Sequence, residues 1–384
     1  MMFSRAVISL AVFLFLAGSD VCAAQTFTIL HSFPTSGVDG WNPTGLVRGP
    51  GDALYGTNGF GGPGKVGNVF KITAAGDYSV LHNFSGGADG SLPSAAPIID
   101  LYGDIYGVTE YGGSANSGTI YKIDRNGNYE VLYNFLGGAT GANPQTALVR
   151  DKAGNLYGAT SNGGLSTCGR FDGCGIVFKF DSTGQLTVVY SFTGASDAFF
   201  TTSGALVTDQ LGNLYGMTNA GGKNSEGAVY KVTPTGMETI LLSCDPISGY
   251  QPRDGLLRTP AGELYGTTTF SGNLGGGVVF ALSETGDFRV VHAFGETTES
   301  FSVGGVVQDA AGNLYGTTQQ GGDFHEGTIY KIEKNRKESV VYSFTGGADG
   351  GFPTNTLVID PSGNLYGTST TLPVSAAVIF KFTP

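Results

Sequence analysis

The sequence is short of charge. Asp, Glu, Lys and Arg together make up 13% of its 384 residues, and the formal net charge is −11. Nucleic acids and anionic membrane surfaces are bound by basic faces, so neither is an expected partner. Disorder is not expected either, because aromatic residues make up 11% of the chain, and its 64 glycines follow no collagen period. Glycine-punctuated β structure is the class that fits this composition.

Motifs for catalysis are also absent. No Gly-x-Ser-x-Gly, His-Glu-x-x-His or phosphate-binding Walker pattern occurs, and helical periodicity is lacking. Of only four histidines, His31, His82 and His292 occupy a position at which other copies of the repeat described below have tyrosine. His325 lies beside Glu326 in a loop, where a solvated loop is favoured over an acid–base pair. We therefore expect no His-based triad or metal site and no cofactor, apart from the Ca²⁺ considered below.

The apolar run at the N-terminus is too short to span a membrane. It extends over residues 6–17, follows Arg5, and is succeeded by small residues up to Ala24. This order is typical of a signal peptide. We expect residues 1–24 to be removed, the mature chain to have no membrane span, and the protein to be secreted or periplasmic.

Cysteine is scarce, and Cys22, one of the four, lies in the predicted signal peptide. Cys168 and Cys174 are six residues apart, and export favours a disulfide between them. Closing so short a loop contributes roughly 2 kcal/mol, which holds the loop rather than the fold. Cys244 is left over and is interpreted as a buried free thiol.

One short motif, here called the tag, occurs seven times. It reads Leu-Tyr-Gly, with Ile in place of Leu in one copy, and successive tags are 50 or 51 residues apart except for one interval of 58. The tag tyrosines are Tyr55, Tyr106, Tyr157, Tyr215, Tyr265, Tyr315 and Tyr366. Four segments recur around each tag, and in the third copy they cover 146–150, 155–160, 175–180 and 186–192.

The four segments have the composition of β-strands. They are rich in β-branched and aromatic residues and are bounded by Gly, Asp, Asn or Pro. The first two are joined by Asp-x-x-Gly-Asn, as in 151–155, which is typical of a tight hairpin. Four-stranded units of this length, repeated seven times, predict an all-β, seven-bladed β-propeller in a single domain, residues 25–384. A solenoid is the alternative, but its coils are shorter and need capping units.

The ends of the chain favour the closed ring. Residues 27–33 match the fourth strand of the repeat but precede the first tag, whereas the last copy stops after its third strand at 378–382. We expect the N-terminal segment to supply the missing fourth strand of the last blade. This arrangement gives 28 strands and leaves no open sheet edge.

The repeat resembles a known family. Residues 312–350 contain Gly-Asn-Leu-Tyr-Gly-Thr-Thr, Gly-Gly, Gly-Thr-Ile-Tyr-Lys-Ile and Val-Tyr-Ser-Phe-Thr-Gly-Gly-Ala-Asp-Gly. This series is similar to the GloVer tandem repeat of exported bacterial proteins with a choice of C-terminal anchors, and the resemblance covers 25–384. It implies a repeat structure and export, and it implies no reaction. Because the chain ends at Pro384 without a sorting tail, we do not expect an anchor.

In a symmetric repeat protein, residues present in most copies are interpreted as scaffold, and a site is sought where copies differ. The loops from second to third strand, and from fourth strand to the next blade, share one face with the channel mouth. Some copies carry aromatic residues there, namely Phe60, Tyr111, Phe270, Trp41 and Tyr250. Such rings stack on sugars or anchor a protein partner, and packing of the loops on the rim is the alternative.

The same face carries an acid about five residues after the fourth strand in several copies. These acids are Asp39, Asp89, Asp197 and Asp349. Carboxylates are suitable ligands for Ca²⁺. Asp-Gly turns explain the same residues and are the favoured interpretation.

Together these patterns favour an exported, monomeric, non-enzymatic module that binds a glycan or a protein on its loop-rich face. One alternative is a polysaccharide hydrolase or lyase that uses acids such as Asp89, Asp349 or Glu326. That chemistry requires two carboxylates about 5–10 Å apart. A purely structural repeat protein is the other alternative.

Overall fold

The computed structural model describes residues 25–34, 37–164, 173–194, 197–202, 204–270, 272–295, 299–302, 304–371 and 376–384. The predicted signal peptide and Cys168 lie outside the described residues. Within these ranges the regular secondary structure is almost entirely β. It contains two single-turn 3-10 helices, Pro50–Asp52 and Gly138–Thr140, and no α-helix.

The strands of the described ranges, numbered in chain order, form seven blades. Blade one contains β2 (Trp41–Arg48), β3 (Leu54–Phe60), β4 (Asn68–Ile72) and β5 (Tyr78–Asn83). Blade two contains β6 (Ile98–Ile99), β7 (Ile105–Thr109), β8 (Thr119–Ile123) and β9 (Tyr129–Asn134). Blade three contains β10 (Ala142–Pro144), β11 (Val149–Arg150), β12 (Leu156–Asn162), β13 (Ile176–Phe180) and β14 (Leu186–Ser191). Blade four contains β15 (Ala198–Thr201), β16 (Val207–Thr208), β17 (Leu214–Gly221), β18 (Ala228–Val232) and β19 (Glu238–Ser243).

The remaining blades follow the same plan. Blade five contains β20 (Tyr250–Pro252), β21 (Leu257–Arg258), β22 (Leu264–Phe270), β23 (Gly275–Leu282) and β24 (Phe288–Gly295). Blade six contains β25 (Glu299–Ser300), β26 (Val307–Gln308), β27 (Leu314–Thr318), β28 (Gln320–Gly321), β29 (Thr328–Ile332) and β30 (Glu338–Ser343). Blade seven contains β31 (Val358–Ile359), β32 (Leu365–Thr371), β33 (Ala376–Thr383) and β1 (Thr26–Ser32).

The first and last strands of the chain close the ring. Strand β1 pairs antiparallel with β33, with Phe27 opposite Phe382. At the other end of the pair, the backbone N–H of Phe33 donates to the carbonyl oxygen of Ala377 at 2.8 Å. Blade seven therefore has the order β31-β32-β33-β1, which matches β6-β7-β8-β9 of blade two. The predicted seven-bladed propeller and its closure by the N-terminal strand are confirmed.

Each blade is built around one aromatic side chain of its third strand. Residue 56, the tag glycine of blade one, stands opposite Phe70, and a Cβ added to Gly56 would lie 2.4 Å from Cζ of that ring. The ring occupies the space of a side chain on the second strand, so only glycine fits there. All seven rings at this position are 0% exposed: Phe70, Tyr121, Phe178, Tyr230, Phe280, Tyr330 and Phe380.

Blade packs on blade through a second aromatic residue, which follows the fourth strand or ends it. Its ring lies against the third-strand ring of the next blade, with centroids 5.0–6.0 Å apart and the ring planes steeply inclined. These pairs are Phe33–Phe70, Phe84–Tyr121, Phe135–Phe178, Phe192–Tyr230, Phe294–Tyr330 and Phe344–Phe380. Seven hydrophobic clusters result, and each combines two consecutive blades.

Cys244 takes the place of this phenylalanine between blades four and five. Its thiol is buried and free, as the sequence led us to expect, and burial raises its pKa to about 12. Cys174 is buried and disulfide-bonded. Because Cys168 lies outside the described residues, its pairing with Cys174 stays a prediction.

The inner strands are more broken than expected, so the described residues form 33 strands rather than 28. In blades three to six the inner strand consists of two short pieces, and in blade six β28 is separate from β27. In two of these blades the first piece contains a residue with a left-handed φ angle, Asn143 at 55° and Gln251 at 53°, and each is followed by a proline, which cannot donate to the ladder.

Deletion of residues 25–33 is expected to abolish cooperative folding, because it exposes the edge of β33 and removes Phe33 from the interface with blade one. Size-exclusion chromatography and thermal unfolding followed by circular dichroism would show aggregates and a lost transition. The control is Thr28→Ala, at an exposed position of the same strand, which should change stability by less than about 0.5 kcal/mol. A monomeric truncated chain with an unchanged unfolding midpoint would contradict ring closure by β1.

Thiol titration of a chain of residues 25–384 tests the assignment of Cys168, Cys174 and Cys244. The native protein should not react, because Cys244 is buried and its raised pKa suppresses the thiolate. In denaturant we expect one reactive thiol without reductant and three after reduction. The Cys244→Ala variant should lose the single thiol of the unreduced sample. More than one thiol in the denatured, unreduced wild type would show that the Cys168–Cys174 disulfide is absent.

Candidate functional site

The central channel opens into a cavity of about 440 Å³ at one end, here called the mouth. All seven blades contribute to it, through residues at or near the start of the inner strands or the end of the second strands. The mouth therefore lies on the face that carries the variable loops. Its lining residues are Asn42, Pro43, Thr44, Ser94, Gln145, Thr201, Thr202, Asn219, Arg253, Asp254, Gln319, Thr354 and Asn355.

This lining consists mainly of neutral polar side chains. Five residues carry amides and five carry hydroxyls, with one arginine, one aspartate and one proline. Amides both donate and accept hydrogen bonds, and hydroxyls do the same. The mouth can therefore bind a ligand whose surface alternates donors and acceptors, such as a polyhydroxylated molecule.

Part of this lining is already engaged within the protein. The Oε1 atom of Gln145 accepts a hydrogen bond from Ser161, and Nδ2 of Asn355 donates to the carbonyl oxygen of Pro43 at 2.7 Å. Other side chains make no hydrogen bond or ion pair to any described residue, and all of them are exposed or half-buried. These uncommitted side chains are Asn42, Asn219, Arg253, Gln319 and Thr354.

Asp254 connects the inner segments of several blades by hydrogen bonds at the base of the mouth. Its Oδ2 accepts hydrogen bonds from the backbone N–H of Thr356 at 2.8 Å and of Gly305 at 3.4 Å, and from the hydroxyl of Thr356. Its carbonyl oxygen accepts from the hydroxyl of Thr202 at 2.8 Å. Burial raises the pKa of Asp254, and these hydrogen bonds oppose the rise. One residue of blade five thus contacts blades four, six and seven.

A second cavity of about 260 Å³ continues the channel below the mouth. It shares Thr44, Asp254 and Asn355 with the mouth, so these three residues mark the boundary. Its other lining residues are mainly aliphatic or glycine, including Leu46 and Val306. A polar ligand is consequently accommodated in the mouth rather than deeper in the channel.

The structure divides the five predicted aromatic residues between two regions of the rim. In blade one, Trp41 and Phe60 stack with centroids 4.7 Å apart, and Trp41 directly precedes Asn42 of the mouth. In blade five, Tyr250 stands opposite Phe270 in the strand register. Tyr111 of blade two is 40% exposed. Blades one and two are neighbours, but blades six and seven separate them from blade five.

The four acids proposed for Ca²⁺ lie in separate loops between blades, and the carboxylates of three of them accept a hydrogen bond from a backbone N–H four residues earlier. Asp89 accepts from the backbone N–H of Ser85, and Asp349 accepts from that of Thr345, both at 2.9 Å. Asp197 does the same with Thr193, and the carbonyl oxygen of Asp39 accepts from Tyr78. In the described part of the chain, no three His, Cys, Asp or Glu side chains form a group able to hold a metal. The Ca²⁺ hypothesis stays a prediction.

Asp197 differs from the other three because a second acid, Glu238, lies near it. The hydroxyl of Tyr190 donates a hydrogen bond to Oδ2 of Asp197 at 3.0 Å. Oδ1 of Asp197 and Oε1 of Glu238 are buried, and neither has a hydrogen-bond partner among the described residues. Burial, and then the charge of Asp197, raise the pKa of Glu238 to about 7. This pair lies on the outer part of the interface between blades three and four, away from the mouth.

Arg253 and Asp254 were missed from the sequence, although an alignment of the repeat copies shows that Arg253 departs from the other blades. When the copies are aligned on the proline that precedes the inner strand, Arg253 follows Pro252 at a position where other blades have Ser94, Gln145 and Thr354. The acids considered for polysaccharide cleavage, Asp89, Asp349 and Glu326, do not line the mouth. No helix in the described ranges is long and apolar enough to cross a membrane.

Comparison with known families agrees with the repeat. The model of the Gloeobacter/Verrucomicrobia repeat matches residues 20–204 and 168–380. The chain belongs to this family. The two matches extend over all seven blades, and they confirm the resemblance noted from the tags. No curated protein matches the sequence.

Several solved structures share the fold at low identity. The extracellular domain of a proposed hybrid two-component system from B. thetaiotaomicron has a TM-score of 0.60 at 11% identity, over 93% of this chain and 40% of that one. A puromycin-hydrolyzing peptidase from Mycobacterium tuberculosis has 0.57 at 9%, over 87% and 50%. A proposed 6-phosphogluconolactonase from Bacteroides uniformis has 0.52 at 15%, over 83% and 95%. The chain thus spans half or less of the first two, and these likenesses show the propeller fold alone.

The raised pKa of Glu238 predicts a pH dependence of stability. The folded protein keeps this proton up to about pH 7, whereas the unfolded chain releases it near its ordinary pKa of about 4.3. The stabilising contribution of protonated Glu238 to the free energy of unfolding is thus complete at low pH, and it is lost as pH rises through 7. Because the side chain is partly exposed, we expect Glu238→Gln to exceed wild type by only about 1 kcal/mol at pH 8 and to match it near pH 4.

Urea unfolding of both proteins between pH 4 and pH 8 measures this difference. Glu130→Gln, at an exposed position of β9, is the matched control and should differ from wild type by a pH-independent amount. A Glu238→Gln difference that stays constant across this range would contradict a proton held by Glu238 in the folded protein.

Proposed function

We propose that this chain is an exported binding module that takes a saccharide at the mouth. The observation that carries the proposal is the lining of ten amide and hydroxyl residues in a cavity of about 440 Å³. Cavities of roughly 300–1,000 Å³ hold small-molecule ligands. A protein partner would be favoured by an apolar centre, where binding hot spots concentrate, and the centre of this face is polar. Export follows from the signal-peptide pattern of residues 1–24.

The aromatic rim adds a second type of contact. Saccharides have apolar C–H faces as well as hydroxyls, and exposed aromatic rings bind those faces. The Trp41–Phe60 pair adjoins the mouth through Asn42, so a chain that enters the mouth can extend across it. In this arrangement the amides form hydrogen bonds with the hydroxyls of the inserted sugar, and the aromatic rings stack on the sugars that follow.

A glycan array followed by calorimetry of the mature chain tests this proposal. We expect at least one oligosaccharide to bind, and Asn219→Ala and Gln319→Ala each to weaken it about five- to tenfold, because each loses one neutral hydrogen bond. Trp41→Ala should weaken longer oligosaccharides more than short ones. The control is Tyr102→Ala, which removes an exposed aromatic residue from a turn on the opposite face.

Two results would overturn the proposal. One is the absence of any glycan binding at micromolar protein. The other is binding whose affinity survives the combined loss of Asn219 and Gln319, since such a ligand would be held elsewhere on the propeller.

A further inference from the structure

Arg253 breaks the symmetry of the mouth. It follows Pro252 at the start of the inner segment of blade five, and the corresponding residues after Pro93, Pro144 and Pro353 are small or neutral. Those residues, Ser94, Gln145 and Thr354, line the mouth as Arg253 does. A neutral polar position thus recurs around the mouth, and in one blade it carries a permanent positive charge.

The charge of Arg253 has no partner among the described residues. The side chain is exposed and makes no ion pair or hydrogen bond to any described residue. Asp254 is the other charged residue of the lining, but its Oδ2 accepts from Thr356 and Gly305 and its Oδ1 from the backbone N–H of Gly255 at 3.0 Å. The acid beside Arg253 is therefore occupied by backbone donors, and the guanidinium is available to a ligand.

We infer that the mouth selects a saccharide bearing a carboxylate, a uronic acid unit, and that Arg253 binds that group. This inference rests on the proposed function and specifies its ligand class. A guanidinium forms two parallel hydrogen bonds with a carboxylate, which gives direction as well as strength. The uncommitted amides of Asn42, Asn219 and Gln319 are left to bind the sugar hydroxyls.

The overall charge opposes nonspecific binding of acidic polymers. With a net charge of −11, the chain as a whole repels anions. Attraction of a uronate must come from the local field in the mouth, where the cation is close to the bound group. We consequently expect the electrostatic contribution to uronate affinity to weaken as the salt concentration rises and to depend on Arg253.

Calorimetry with the full mature chain tests this inference. The probes are trimers of galacturonate, glucuronate, mannuronate and guluronate, the neutral trimers of the corresponding sugars, and a sulfated trimer. At low salt at least one uronate should bind about tenfold or more tightly than its neutral counterpart. Arg253→Gln should remove most of that preference, so that its affinities for the uronate and for the neutral trimer differ by less than about twofold. Arg253→Lys should keep part of it, because lysine retains the charge without the planar fork.

Arg125→Gln is the matched control, since it removes one positive charge from an exposed turn of blade two. It should leave the preference intact. Equal affinity for uronate and neutral trimers, or an undiminished preference in Arg253→Gln, would overturn the inference and leave the proposed saccharide site standing. A preference for the sulfated trimer over every uronate would also overturn it. Binding of no saccharide would instead refute the proposed function itself.

Discussion

The contact between the tag glycine and the third-strand ring sets the geometry of every blade. Because the ring of Phe70 fills the space above Gly56, the second and third strands are held at a spacing that no larger residue at position 56 permits. One flank of the same ring receives Phe33 from the preceding blade. The ring therefore joins the packing within a blade to the packing between blades, and repetition of this contact closes the propeller.

This constraint separates the residues that are needed for packing from those that can vary and bind a ligand. The tags, the third-strand rings and the phenylalanines at the end of the fourth strands recur in nearly every copy. Between blades four and five, the buried Cys244 takes the place of the phenylalanine. The ends of the second strands and the segments before the inner strands lie beyond these contacts. They can differ from blade to blade without loss of the core, and the mouth is built from them.

Much of the fold was predictable because it depends on local, repeated patterns. The tags gave the number of blades, and the early fourth strand at 27–33 gave the closure. The site was less predictable. The exposed aromatic residues were recognised as exceptions to the repeat, but Trp41 and Phe60 prove to be stacked on each other and far along the ring from Phe270. Arg253 and Asp254 were overlooked because their departure from the repeat becomes visible only when the copies are aligned on the proline that precedes the inner strand.

The sequence by itself determined the β class, the seven-fold repeat and the way in which the ring closes, because strand composition and spacing are read along the chain. Only the tertiary structure decided which side chains meet. The mouth draws on all seven blades, and the hydrogen bond from Thr356 to Asp254 joins residues 102 positions apart. Such neighbours depend on the rotation that relates one blade to the next. That rotation follows from packing of whole sheets, and no segment of the sequence encodes it alone.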